Sequence, residues 1–99
     1  MHVEALSIPD IKLLTPVKHG DSRGFFSEIF SQRDFQSLGL SFECVQENFS
    51  FSQQRNTVRG LHWQTPPFAQ AKLVQVLSGS IFDVAVDLRR NSPWYGQHV

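Results

Sequence analysis

From Ile81 to Leu88 the chain alternates between two kinds of face. Phe82, Val84, Val86 and Leu88 fall on one side, and Ile81, Asp83, Ala85 and Asp87 on the other. A period of two is the mark of a β-strand. Lys72 to Leu77 reads the same way, and Ser78-Gly79-Ser80 between the two predicts a hairpin. Val58 to Gln64 predicts a further strand, ended by Thr65-Pro66-Pro67, and Phe42 to Gln46 another. Phe25 to Phe30 splits into Phe26, Glu28 and Phe30 on one face and Phe25, Ser27 and Ile29 on the other. Before it, His19 to Gly24 is turn chemistry, and Ile8 to Val17 is an apolar-rich opening segment broken by Pro9 and Pro16.

The period changes once. Ser31, with Asp34 three residues on, is a helix cap, and Gly39 is a helix stop, so a short helix is predicted over 32–38. Asn48 to Thr57 and Arg89 to Pro93 read as loops, and Gly96 to Val99 as the beginning of a strand. There is no repeat and no low-complexity segment. About five to seven short strands and one small helix predict an all-β sandwich or barrel. A jelly roll needs eight strands, so residues 1–99 are expected to be an incomplete portion of one domain.

Composition narrows the classes. The 99 residues are 40% apolar and 18% charged, as in an ordinary globular chain. Nine phenylalanines point to aromatic packing or an aromatic-lined cavity. Nine basic residues balance nine acidic ones, which gives no broad positive field and argues against a nucleic-acid partner. The single cysteine, Cys44, excludes an internal disulfide; its alternation with Phe42 and Gln46 predicts a small buried hydrophobe. The N-terminus shows no secretory leader, and no run of about 18 apolar residues predicts a membrane span. A cytoplasmic protein is expected, and Asn48-Phe49-Ser50 is then a chance sequon.

The chemistry concentrates in VRGLHWQ, residues 58–64. In a regular strand His62 shares a face with Gly60 and Gln64. A strand histidine on its own is more often a satisfied structural residue than a base. Here Gln64 adds an amide on the same face, and Gly60 allows a ligand close to the backbone. Arg59 has the opposite parity, so a shared site would need a bulge or twist at Gly60; otherwise it is a solvated charge. Lys72 at a strand end says little alone, but beside a histidine base it could stabilise an oxyanion. No metal is expected, because glutamine at position 64 is a poor transition-metal ligand and His2, His19 and His98 lack ligand spacing. Glu28, between two phenylalanines, reads as an edge residue or as paired in a polar cavity. Arg23 could pair with it or with a phosphate.

In order and spacing, GDSRGFFSEIF (20–30), FECVQENFS (42–50), VRGLHWQ (58–64), AQAKLVQVLSGSIFDVAVDLR (69–89) and SPWYGQHV (92–99) resemble the dTDP-4-dehydrorhamnose 3,5-epimerase family. The resemblance implies a cupin-type jelly roll, of which 1–99 is the N-terminal portion. It implies epimerisation at C3 and C5 of dTDP-4-dehydro-6-deoxyglucose, in dTDP-rhamnose biosynthesis. His62 matches the catalytic base and Lys72 the residue beside the sugar ketone. Arg23, Glu28, Gln46, Asn48 and Arg59 match substrate-holding positions, the arginines at the diphosphate, and Asp83 matches an acid near the base. The family needs no metal or cofactor and forms homodimers that exchange N-terminal strands. Its acid tyrosine, which Tyr95 does not match, and the aspartate that orients the base lie beyond the part covered. The 99 residues alone are therefore expected to be inactive. A sugar-nucleotide ketoisomerase on the same scaffold and a non-catalytic nucleotide-sugar-binding fragment are the alternative readings.

Overall fold

Proline decides the first element. In the computed structural model, which describes residues 1–99, Pro9 occupies the second position of a tight turn closed by the Ile11 amide donating to the Ile8 carbonyl at 2.9 Å. Its ring fixes the backbone angle that such a turn requires. The turn joins strand β1, His2–Ala5, to strand β2, Lys12–Thr15, in antiparallel register with Val3 opposite Leu14. Pro16 has no amide to continue the ladder, and β2 stops before it. The opening segment is thus a hairpin that begins earlier than its apolar pattern suggested, with Ile8 at its tip buried to 2% exposure.

A second hairpin follows. Strand β3, His19–Asp21, pairs with strand β4, Gly24–Phe26, across the two residues Ser22 and Arg23. The run predicted as turn therefore contributes a strand of its own, and the strand predicted over 25–30 forms a ladder only as far as Phe26. The Asp21 carboxylate accepts the Arg23 amide at 2.9 Å, and this local bond sets the turn.

Helix α1, Gln32–Ser37, forms where its caps require it. Ser31 is extended and its hydroxyl accepts the Asp34 amide at 3.4 Å. At the other end Leu40 donates to the Phe35 carbonyl and Gly39 to the Gln36 carbonyl, with Gly39 at φ +71°. This is a Schellman closure, which needs a left-handed residue and finds glycine there. The helix buries Phe35, also 2% exposed, edge-to-face with Phe30 and against the tilted ring of Phe42, with ring centroids 4.8 and 6.0 Å away. Gln32 adds a 2.9 Å bond from its side-chain amide to the Phe42 carbonyl.

The C-terminal run also pairs. Ala85 and Val99 exchange backbone bonds of 2.9 and 3.0 Å, Asp87 donates to the Gln97 carbonyl, and Val86 bridges His98. The strand start predicted at 96–99 thus folds back on 85–87.

The remaining predicted strands form no ladders. Segments 42–46, 58–64 and 72–77 have no strand paired alongside them, and 72–77 does not pair with 81–88 across Ser78-Gly79-Ser80. The predicted hairpin is therefore corrected. Alternation fixes which face of a strand is apolar, while its partner is chosen by tertiary surroundings. Every residue from 43 to 85 is exposed, Phe82 to 94%. Accessible surface is 9204 Å², against about 5,700 Å² for a folded monomer of this mass. The radius of gyration is 15.7 Å, where about 13 Å is usual. Four short strands and one short helix are formed; most of the apolar pattern faces solvent.

The Phe30–Phe35–Phe42 cluster is the main aromatic core. Phe35→Ala should remove about 3–5 kcal/mol from it. Hydrogen exchange should then show the amides of Leu38, Gly39 and Leu40 losing protection. Protection equal to that of the wild type would mean that the helix is held by something else.

Candidate functional site

Glycine shapes the centre of VRGLHWQ. Gly60 adopts φ +110°, a conformation that side chains resist. A Cβ added there would lie 3.4 Å from His62 Nδ1, so the imidazole packs back over the glycine. The positive φ also interrupts the regular alternation. The parity argument that sent Arg59 and His62 to opposite faces assumed an unbroken strand and does not hold through this residue.

Arg59 reaches backward along the chain. Its Nε donates to the Ser52 hydroxyl and its Nη2 to the Phe51 carbonyl, both at 3.2 Å. That loop is closed by Thr57, whose hydroxyl donates to the Gln54 carbonyl at 2.7 Å, and Asn56 takes a left-handed φ of +62°. Just before the loop, the Gln46 side-chain amide donates to the Asn48 side-chain carbonyl at 3.1 Å. Gln46 and Asn48 are therefore coupled, and so are Arg59 and the loop that follows them.

Arg23 sits at the tip of the β3–β4 hairpin, exposed, with Nε and Nη2 on the Asp21 carboxylate. It does not pair with Glu28. The Arg23 guanidinium holds the Asp21 carboxyl below the usual carboxylate range. Glu28 moves the other way: a hydrogen bond with Asp34 is the main cause, and it raises the Glu28 carboxyl above its ordinary value. The two acids line a shallow pocket of about 210 Å³ with Met1, Val17, His19 and Ser31.

Lys72 and Asp83 are exposed and make no ion pair, and no hydrogen bond joins His62, Lys72 and Asp83. No group of three or more His, Cys, Asp or Glu residues is arranged to hold a metal ion. Cys44 is exposed, not buried as its alternation predicted, because nothing covers that face.

One polar cluster has no counterpart among the predicted residues. Asp87, 6% exposed, accepts bonds from the Arg89 amide at 2.9 Å, from Arg89 Nε at 3.0 Å and Nη2 at 2.8 Å, and from the Ser92 hydroxyl at 2.6 Å. These bonds pull its carboxyl far below the ordinary range. The signal was available in the sequence. Asp87-Leu88-Arg89 repeats the Asp-x-Arg spacing of Asp21-Ser22-Arg23, and both make the same 2.9 Å bond from the arginine amide to the aspartate.

Comparison with known proteins gives this arrangement its class. The family model for dTDP-4-dehydrorhamnose 3,5-epimerase matches residues 5–99. An epimerase of that description from Sinorhizobium fredii is 50% identical over 99 residues, which is all of this chain and 51% of that protein. The one from Escherichia coli K12 is 46% identical over 100 residues and 54% of its length. A crystal structure of dTDP-4-dehydrorhamnose 3,5-epimerase from Bacillus anthracis, with TDP and PPi bound, superposes with a TM-score of 0.95 at 45% identity. The match covers 99% of this chain and 56% of that one. The chain thus has the backbone of a sugar-nucleotide isomerase over its length, and it spans about half the length of the curated relatives it matches. It belongs to the dTDP-4-dehydrorhamnose 3,5-epimerase family.

The Asp21–Arg23 pair is directly testable by titration. A depressed carboxyl pKa means that the pair is fully formed above the ordinary aspartate value of about 3.9 and is lost as pH falls through the lowered one. Carbon-detected NMR should place the Asp21 midpoint below that value in the wild type and move it upward in Arg23→Ala. Identical midpoints in the two proteins would show that the pair is not populated in solution.

Proposed function

We infer that this chain supplies the N-terminal portion of a single cupin-type jelly-roll domain. That domain converts dTDP-4-dehydro-6-deoxyglucose to dTDP-4-dehydrorhamnose by inverting C3 and C5, in dTDP-rhamnose biosynthesis. The observation that carries the reading is the TM-score of 0.95, at 45% identity, to an epimerase crystallised with TDP and PPi. No helix is long and apolar enough to cross a membrane, and a cytoplasmic homodimer that exchanges N-terminal strands fits the reading.

The residue chemistry supports it. A ketone at C4 acidifies the hydrogens on C3 and C5. His62 is assigned as the base that removes each in turn, leaving an enolate whose oxygen takes a hydrogen bond from the Lys72 ammonium. Return of a proton to the opposite face inverts the carbon. Neither oxidant nor metal is needed for this exchange, which accords with Gln64 standing where a second ligand histidine would be.

Arg23 and Arg59 are assigned to the diphosphate. Each guanidinium spends Nε and Nη2 on a local acceptor, the Asp21 carboxylate for one and the loop at 51–52 for the other, and Nη1 has no partner. A guanidinium held this way presents its remaining donors in a fixed direction, which suits phosphate oxygens. Gln46, Asn48 and Glu28 are assigned to the rest of the substrate, and Asp83 is assigned as an acid near the base.

His62 makes no hydrogen bond within these 99 residues. A base needs a partner to fix its tautomer and direction, and a positioned acid is worth about 10²–10⁴-fold. At equal concentration, this chain should show little turnover of dTDP-4-dehydro-6-deoxyglucose beside one extended to the relatives' length. In the extended protein, His62→Asn should nearly abolish solvent deuterium uptake at C3 and C5 while dTDP still binds. Comparable turnover by the short chain would overturn the first expectation, and unchanged deuterium uptake in the variant the second.

The arginines give a separate readout. Arg23→Ala and Arg59→Ala should each weaken dTDP binding about ten- to a hundred-fold, as expected for lost hydrogen bonds to charged groups, and wild-type affinity should fall with added salt. Calorimetry showing the same affinity in all three proteins would remove both from the diphosphate site.

A further inference from the structure

We propose that Arg89 is a latch that docks the N-terminal β1–β2 hairpin onto the C-terminal 85–99 hairpin, and that the outer half of this latch is a salt-sensitive catch. Arg89 Nη1 donates to Asp10 at the tip of the β1–β2 turn, 79 residues away in sequence. Every other side-chain hydrogen bond in the structure spans ten residues or fewer, so this contact is the one long-range side-chain tie.

The two halves of the latch differ in environment. The inner half is built in: Asp87 is buried and holds Nε and Nη2, while Ser92 bonds the same carboxylate and takes the Trp94 amide at 3.1 Å. The guanidinium is therefore aimed before Asp10 arrives, and most of its rotamer freedom is already lost. That removes much of the entropy cost that makes isolated surface pairs weak. The outer half is open to water, with the side chains of Arg89 and Asp10 55% and 66% exposed, so dissolved ions can screen it.

The hairpin it holds cannot stand alone. Strands of four residues in a two-stranded ribbon are marginal in water, and Ile8 at the tip, beside Asp10, is the hairpin's one fully buried residue. Docking of the N-terminal hairpin should therefore respond to the catch, while the 85–99 pairing should not.

Hydrogen exchange on the whole chain tests this. Asp10→Asn keeps a turn-forming residue and removes only the charge. Protection factors at Leu6 and Ile11, whose amides bond Ile11 and Ile8 carbonyls, should fall about 1.5- to five-fold, the range set by exposed ion pairs. Those at Ala85 and Val99 should stay the same. Raising the salt to high concentration should produce the same selective fall in the wild type and little further change in Asp10→Asn. Unchanged protection at Leu6 and Ile11, or an equal fall in both hairpins, would overturn the proposal.

Discussion

A β-strand is stable only when its backbone amides and carbonyls have a neighbour to bond, and this requirement organises the whole chain. There are 26 backbone hydrogen bonds in 99 residues, against the roughly 65–70 usual for a folded chain of this length. They are not evenly spread. The two N-terminal hairpins, the helix and the 85–99 pairing hold nearly all of them. Between residues 43 and 84 there is one, from the Phe68 amide to the Thr65 carbonyl. That interval carries Gln46, Asn48, Arg59, His62, Lys72 and Asp83. Apart from Arg23 and Glu28, the residues assigned to substrate are thus carried by the part of the backbone that makes the fewest bonds of its own, and their placement depends on neighbours beyond local pairing.

The division between what the sequence revealed and what it hid follows the same line. The helix was legible because Ser31, Asp34 and Gly39 act within a few residues, and the caps they make are independent of the rest of the fold. The strand start at 96–99 was legible for a similar reason, since its partners at 85–87 lie only 10 to 14 residues upstream. The β1–β2 pairing is hidden in the sequence because Pro9 interrupts the apolar run, although proline at that position of a turn is what allows the chain to reverse. The alternation of 72–77 and 81–88 was real, but period two does not name a partner, and the turn at Gly79 does not bring the two runs into a ladder.

The same contrast runs through the polar residues. Asp-x-Arg occurs twice and makes the same local bonds both times. At the hairpin tip the pair is solvated and leaves the arginine facing outward; under the C-terminal loop the aspartate is buried and the arginine is shared with a distant turn. Sequence fixed the local geometry of each pair, and burial decided its use. Arg59 and His62 show the limit of such reading. Their relative direction turns on the backbone angle at Gly60, a quantity that residue types allow but do not dictate.

These facts bear on how the assigned chemistry could work. Interaction between a lysine ammonium and an enolate oxygen is about four times stronger at an effective dielectric of about 20 than in bulk water. Lys72 and His62 are both exposed in this chain, so the ammonium would act at the weaker end of that range, and the imidazole would be free to turn. The exposed apolar residues flanking them, Leu61 and Trp63 on one segment and Leu73 and Val74 on the other, offer a surface that further chain could cover. Covering it would bury apolar area, pair the open backbone and exclude water from the base together. On this argument the unpaired strands and the unpartnered histidine have one physical cause, and a single layer of added sheet would remedy both.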